Sequence, residues 1–418
     1  MVPALVAATP NSENILSKGA TRIWTTYVVL QDAYMSLRDV EGTTSAPSLP
    51  ITKSKPTTMG SVALPTPQAN PWIETPLVES STLSKAAGCR VFLKLENLQP
   101  SGSFKSRGIG NLLVSAIKAQ QSSHDERPPH FHASSGGNAG LACVTAAVAL
   151  GYRSTVCVPT STEDAMVARL RAAGASDVIV YGSSWIDADR YLREVVMPKA
   201  EETGEKAIYV PPFDHPDIWT GAATMIPEIR KQMPNGERPD AIVCSVGGGG
   251  LFAGIMQGLQ DTNWSQSVRV LAVETFGAES LAQSVRRGEL VTMPGITSVA
   301  KSLGAVRVAE QAFKEAMKPN VSTVVIEDAE ACASSWRLAD DERILVEPAC
   351  GASVALAYDG RLKKYLKGFS SQSKVVIVVC GGSRINLQMM ADYRQQFGAR
   401  ARELGLTRCQ DVPSSHST

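Results

Sequence analysis

From residue 72 onward, hydrophobic positions gather in short runs rich in β-branched residues, separated by longer stretches of helical length. The runs are VFLKLE (91–96), HFHAS (130–134), STVCVP (154–159), DVIVYG (177–182), AIYVPP (207–212), AIVCSVG (241–247), VRVLAVE (268–274), STVVIED (322–328) and KVVIVVCGG (374–382). Alanine-rich segments lie between them, such as LACVTAAVALG after the second run and DAMVARLRAAG after the third. Apolar runs of this kind belong to strands covered on both faces, and their alternation with helices predicts an α/β protein with mostly parallel sheets. Nine strands are more than one sheet holds comfortably, so two open parallel-sheet α/β domains are expected. The expected division places 71–98 and 215–400 in a large domain and 99–214 in a small one, with a C-terminal tail over 401–418. Ligands of such folds sit beyond the carboxyl ends of the strands, here in the cleft between the domains.

Residues 1–70 break the pattern. They are rich in Ser, Thr, Pro and Ala, and IWTTYVVL (23–30) is their one apolar patch. The expectation is a disordered extension, or one that an over-long gene model adds ahead of a true start at Met59. Arg22 and Arg38 stand among Glu13, Asp32, Asp39 and Glu41, which fits neither a secretory signal nor a transit peptide. Lys and Arg total 41 against 40 Asp and Glu, a net charge of +1. That balance leaves no electrostatic footprint for nucleic acid or an anionic membrane, and favours a small neutral or zwitterionic substrate. No apolar run reaches the ~18 residues that cross a bilayer. The eight cysteines are scattered without a C-x-x-C pair, and Cys157 and Cys244 lie in apolar runs. They read as buried thiols of a reducing, cytoplasmic protein. The five histidines show no metal-ligand spacing.

Three strand ends open into glycine-rich loops: NLQPSGSFKSRG (97–108), SSGGNAG (134–140) and SVGGGGLFAG (245–254). Glycine at such a place lets backbone N–H groups approach a phosphate above a helix N-terminus. Taken alone, the tetraglycine loop is ambiguous. Gly248, Gly250 and Ala253 satisfy the G-x-G-x-x-A form of the dinucleotide fingerprint, and Glu274 ends the next strand where a ribose-binding acid would stand. A tight turn serving packing alone is the plainer alternative. The lysine loop tips the balance. Lys105, between Ser103 and Ser106 at a strand-to-helix turn, opposes the helix dipole. An aldehyde cofactor needs such an amine to form a Schiff base, whereas a dinucleotide does not.

The run QPSGSFKSRG resembles the lysine motif of the fold-type II pyridoxal-phosphate enzymes. Within that group the chain resembles the catabolic serine dehydratases, or L-serine ammonia-lyases, over about residues 72–395. The motifs that carry the likeness, in order, are TPLVESSTLSK, LKLENLQPSGSFKSRGIGN, SSGGNAG, PPFDHPDIWTG, SVGGGGLFAGIMQGLQ, ETFGAES, ITSVAKSLG, ILVEPACGAS and VVCGGSRINL. The resemblance implies pyridoxal 5′-phosphate as cofactor, bound in the large domain, and elimination of water and ammonia from L-serine or L-threonine. It implies that Lys105 holds the cofactor and later moves the α-proton, while Phe104 packs on the pyridine ring. Asn138 would bond the phenolic oxygen, and Ser135, Gly136 and Gly137 the substrate carboxylate. Gly247, Gly248, Gly249 and Gly250 would cradle the phosphate, and Cys380 would face the ring nitrogen. Glu274 and Ala278 match positions that bind a monovalent cation such as potassium. Ser302 stands where the best-known relatives are expected to carry alanine. A homodimer is implied as well.

Each residue also has a plainer role open to it. Asn138 could be a helix N-cap, Cys380 an inert core thiol, and Glu274 a residue in a turn. Their occurrence together, in the family's order, argues against coincidence. Cys380 further bears on reaction type, because a neutral thiol does not hold the ring nitrogen protonated as an acid does. Charge built at Cα is then discharged by expelling a β-substituent, which the serine hydroxyl provides. Relatives with cysteine-synthase-like or serine racemase activity usually carry Ser or Thr there. The 38 residues after Cys380 (418 − 380) are too few for the regulatory module of a biosynthetic threonine dehydratase. A nicotinamide-dependent dehydrogenase stays open on the tetraglycine loop alone, as does a catalytically silent binding protein.

Overall fold

The strands alternate with helices as the apolar pattern requires. The computed structural model describes residues 70–123 and 125–406, so residues 1–69 of the expected extension, Met59 included, and residues 407–418 lie outside the described residues. In chain order the strands are β1 (Leu77–Glu79), β2 (Arg90–Lys94), β3 (Pro129–Ala133), β4 (Arg153–Val158), β5 (Asp177–Val180), β6 (Lys206–Val210), β7 (Ala241–Ser245), β8 (Arg269–Thr275), β9 (Val321–Ile326) and β10 (Lys374–Val378). Six form one sheet in the order β1-β2-β10-β7-β8-β9, and four form another in the order β5-β4-β3-β6. Every pairing is parallel except β1 against β2. Strand β1 was not expected: three half-exposed residues are too few to show a period. All five residues of β7 are buried, and β10 is buried from its second residue on, as central strands with both faces covered should be.

Seven helices position the site: α1 (Lys105–Ser122), α2 (Asn138–Leu150), α3 (Met225–Gln232), α4 (Gly250–Asp261), α5 (Ser280–Arg287), α6 (Pro348–Ala355) and α7 (Leu387–Glu403). Helix α7 runs three residues into the segment expected to be a tail, because Ala401 and Leu406 are buried in a cluster with Cys332 and Trp336. The register of the larger sheet matters most for function. Lys94 of β2 pairs with Val378 of β10, and Ile377 of β10 with Val243 of β7. Three carboxyl ends therefore lie side by side, and from them spring the lysine loop, the segment Cys380–Asn386 and the tetraglycine loop.

A buried ion cluster fixes the first turn of α1. Arg107, wholly buried, makes two 2.8 Å hydrogen bonds to Glu96 and two of 2.6 Å to Glu228 of α3. Lys94 donates to the same Glu228 carboxylate at 2.7 Å and to the Thr75 carbonyl at 2.7 Å. Burial alone opposes a charge here, yet Glu96 and Glu228 hold the guanidinium above its ordinary range. Removing Arg107 leaves the buried Glu96 without its ion-pair partner, while Glu228 keeps only Lys94. Arg107→Met should therefore lower unfolding free energy by about 3–5 kcal/mol. Urea titration measures it, and a loss under about 1 kcal/mol would mean the cluster does not anchor the helix.

Candidate active site

The lysine loop is stitched to the end of β10. Ser103 and Gly381 form an antiparallel bridge, the Phe104 N–H donates to the Cys380 carbonyl at 3.2 Å, and the Gly382 N–H donates to the Gly102 carbonyl at 3.0 Å. Lys105 is thereby held at the start of α1 with its amine directed across the cleft, where Nζ donates to the Pro212 carbonyl at 2.6 Å. Burial lowers this amine to about 8, with Cys380 opposing the shift. The Phe104 ring centroid lies 5.2 Å from Nζ.

The amine faces a cavity that is open on one side. Phe104, Lys105, Asn138, Gly247, Gly248, Gly249, Gly250 and Cys380 all line it. Residues from four separate strand-end loops thus meet in one place. Ser135, Gly136 and Gly137 do not line this cavity; they form the approach to Asn138, the first residue of α2. Their loop is anchored by Ser134, whose hydroxyl donates to Asp189 at 2.6 Å. Glu274 and Ala278 are wholly buried, and they too stand apart from the cavity lining. The Glu274 carboxylate accepts from the N–H groups of Leu281 and Ala282 at 2.9 and 2.7 Å, capping α5. Burial pushes its carboxyl up to about 8, against the pull of those two amides.

Several cavity residues escaped the sequence reading. Phe213 is the main one. A Cβ on Gly248 would lie 2.2 Å from the Phe213 ring, and one on Gly250 would lie 2.6 Å from the Phe213 carbonyl oxygen. The expected reason for these glycines was approach of a ligand; the structure adds close approach of the 211–213 segment, which also supplies the Pro212 carbonyl to Lys105. The run PPFDHPDIWTG was the available signal. Ser245 is another: its Oγ lies 3.3 Å from Cys380 Sγ. Cys350 also borders the cavity, and burial raises its thiol well above the ordinary range. The neighbouring Cys350 and Ser245 lower the Cys380 thiol against the effect of burial.

The residues present suit a phosphorylated aldehyde. They supply an amine of lowered pKa, a glycine loop leading into the N-terminus of α4, and a buried thiol. Ser103 Oγ, buried at the cavity wall, has no hydrogen-bond partner among the described residues, as befits a group that waits for a ligand. Comparison with known proteins decides the matter. The family model described as pyridoxal-phosphate dependent enzyme matches residues 69–381. This chain belongs to that family. It is 43% identical over 330 residues to the Bos taurus L-serine dehydratase/L-threonine deaminase, covering 78% of this chain and 96% of the relative. The catabolic L-serine/threonine dehydratase of Saccharomyces cerevisiae is 42% identical over 317 residues, covering 74% of this chain and 87% of the relative. Among solved structures, a fungal L-serine ammonia-lyase from Rhizomucor miehei superposes with a TM-score of 0.71 at 35% identity, over 78% of this chain and 99% of that one.

For a member of this family the lowered amine has a consequence for cofactor uptake. Only the uncharged amine attacks an aldehyde. In cofactor-free protein, the uptake rate of pyridoxal phosphate should therefore climb as pH rises through about 8 and level off above it. Visible absorbance in stopped flow follows the reaction. A rate still climbing toward the ordinary lysine value of ~10.4 would show that the amine is not desolvated.

Proposed function

We propose that this chain removes water and ammonia from L-serine to give pyruvate, and acts on L-threonine in the same way to give 2-oxobutanoate. The observation that carries the reading is the Cys380 thiol and the Lys105 amine on the walls of one cavity, in a chain 43% identical to a protein named L-serine dehydratase/L-threonine deaminase. When bound, pyridoxal phosphate supplies an aldehyde for the substrate amine and a ring that draws electrons from Cα. Lys105 holds it, yields to the substrate amino group, and takes the α-proton, a task suited to an amine lowered to about 8. Phe104 packs beside the ring and Asn138 donates to the phenolic oxygen. The N–H groups of Gly247–Gly250 hold the phosphate. Ser135, Gly136 and Gly137 take the substrate carboxylate as the small domain (99–214) meets the large one (71–98 and 215–400). Cys380 meets the ring nitrogen without charging it, so that loss of the β-hydroxyl is favoured over return of the proton.

A monovalent cation beside Glu274 and Ala278 belongs to the same reading, since it would relieve a buried carboxyl otherwise pushed up to about 8. Seven described cysteines are buried and unpaired, in keeping with a reducing, cytoplasmic setting. No described helix is long and apolar enough to cross a membrane. A homodimer is proposed on the family resemblance.

Steady-state formation of pyruvate and 2-oxobutanoate tests the activity. Lys105→Ala should lower turnover of both substrates by roughly 10²–10⁴-fold or more. D-Serine as the main product, or turnover dependent on a nicotinamide, would overturn the reading. Cys380→Asp tests the reaction type, because a carboxylate there favours the protonated ring nitrogen. Pyruvate formation should slow and residual L-serine should racemise, as chiral chromatography would reveal. Wild-type pyruvate formation with no racemisation would remove Cys380 from the ring nitrogen.

A further inference from the structure

We propose that Glu347 is a positioning residue of this site, whose carboxylate holds the donor end of the Asn138 amide, opposite the acceptor end held by Ser383, so that the donor end faces the cofactor's phenolic oxygen. The inference rests on the reading that Asn138 meets that oxygen. An asparagine amide offers an acceptor at one end and two donors at the other, and only the donor end stabilises a phenolate. At Asn138 both ends are specified. Oδ1 accepts from the Ser383 N–H at 2.8 Å and from the Ser383 hydroxyl at 2.7 Å. Nδ2 donates to Glu347 Oε1 at 3.1 Å and lies 3.3 Å from Ser302 Oγ. Turned over, the amide would set its oxygen against a carboxylate and its N–H groups against the Ser383 N–H. Both contacts are repulsive.

Glu347 is itself built in. It is 5% exposed and directly precedes α6. Oε1 also accepts from the Arg384 N–H at 3.0 Å, and Oε2 accepts from the Ser302 hydroxyl. Because Ser302 spends its proton on Glu347, its oxygen can only accept from the amide. One Nδ2 hydrogen is thus held by Glu347. The other goes to Ser302 on the cavity wall, and it is this weaker bond that a phenolic oxygen would replace. The chain makes room for this carboxylate at Gly382, which has φ +132° and where a Cβ would lie 2.4 Å from Glu347 Cδ. Glu347 and Asn138 are carried by different sheets' helices, so the bond joins the start of α2 to the start of α6. Glu347 itself does not line the cavity and acts through Asn138.

The test uses the cofactor-loaded protein and reads the pH midpoint of its visible absorbance. A donor to the phenolic oxygen favours the anionic, less protonated form, so its loss raises the midpoint. Asn138→Ala should raise it by about one pH unit, the size of one hydrogen bond to a charged oxygen. Glu347→Ala should raise it in the same direction. The double variant should go no further than Asn138→Ala alone, since the two residues act as one unit. Glu347→Gln keeps one acceptor oxygen and should shift the midpoint less, and it decides the question if the alanine variant does not fold. An unshifted midpoint in the Glu347 variants, with Asn138→Ala shifted, overturns this inference and leaves the role of Asn138 intact. Additive shifts also overturn it. No shift in Asn138→Ala overturns the reading of Asn138 itself, and the inference with it.

Discussion

Lys105 begins a helix, where a positive charge is least welcome, and its amine is turned into a cavity where burial disfavours its charge. Holding it there is the constraint on which the rest of the site depends. A lysine side chain has four rotatable bonds and a strong preference for solvent, so the backbone beneath it must be immobile. The structure meets that need from below and from the side. Below, Arg107, two residues on, is locked between Glu96 and Glu228 in a cluster with no exposed guanidinium surface. At the side, the Ser103–Gly381 bridge ties the loop to the end of β10. Above, the Pro212 carbonyl gives the amine its one described hydrogen bond.

The same economy of position runs through the other walls. Phe213 lies against the tetraglycine loop only because no Cβ stands in its way at Gly248 or Gly250, so these glycines make room for the segment that carries the Lys105 partner. Cys380 follows the central strand β10 and is flanked by Ser245 from the end of β7 and by Cys350 from α6, both neutral. Asn138, from the smaller sheet's side, is gripped by Glu347 and Ser383 from the larger. The segment after β10 thus holds both the lysine loop and Asn138, while the end of β7 meets Cys380. Parallel sheets suit this design because all their carboxyl ends emerge on one side.

Much of this was legible in the chain. Runs such as AIVCSVG and KVVIVVCGG announced central strands because burial on both faces leaves a continuous apolar signature, and glycine runs at their ends marked the ligand side. Lys105, Asn138, the tetraglycine loop and Cys380 stood out by residue type and motif, and the fold brings them to one cavity. What stayed hidden depends on distance in space. Phe213 and Ser245 are ordinary residues in sequence, and only the meeting of strand ends makes them cavity walls. Glu347 reads as a helix-entry acid in VEPAC, with nothing local to show that it reaches Asn138, 209 positions away. Strand β1 was too short to show a period, and the helical character of Ala401 comes from a cluster formed with residues some 65 to 70 positions earlier.

The most direct test of the account is chemical identification of the residue that carries the cofactor. The loaded protein, reduced with borohydride and digested, would be mapped by mass spectrometry for the pyridoxyl-phosphate adduct. The account predicts a single modified peptide containing Lys105, with loss of the violet-edge absorbance on reduction. An adduct on any other lysine, or cofactor that washes away after reduction, would contradict it.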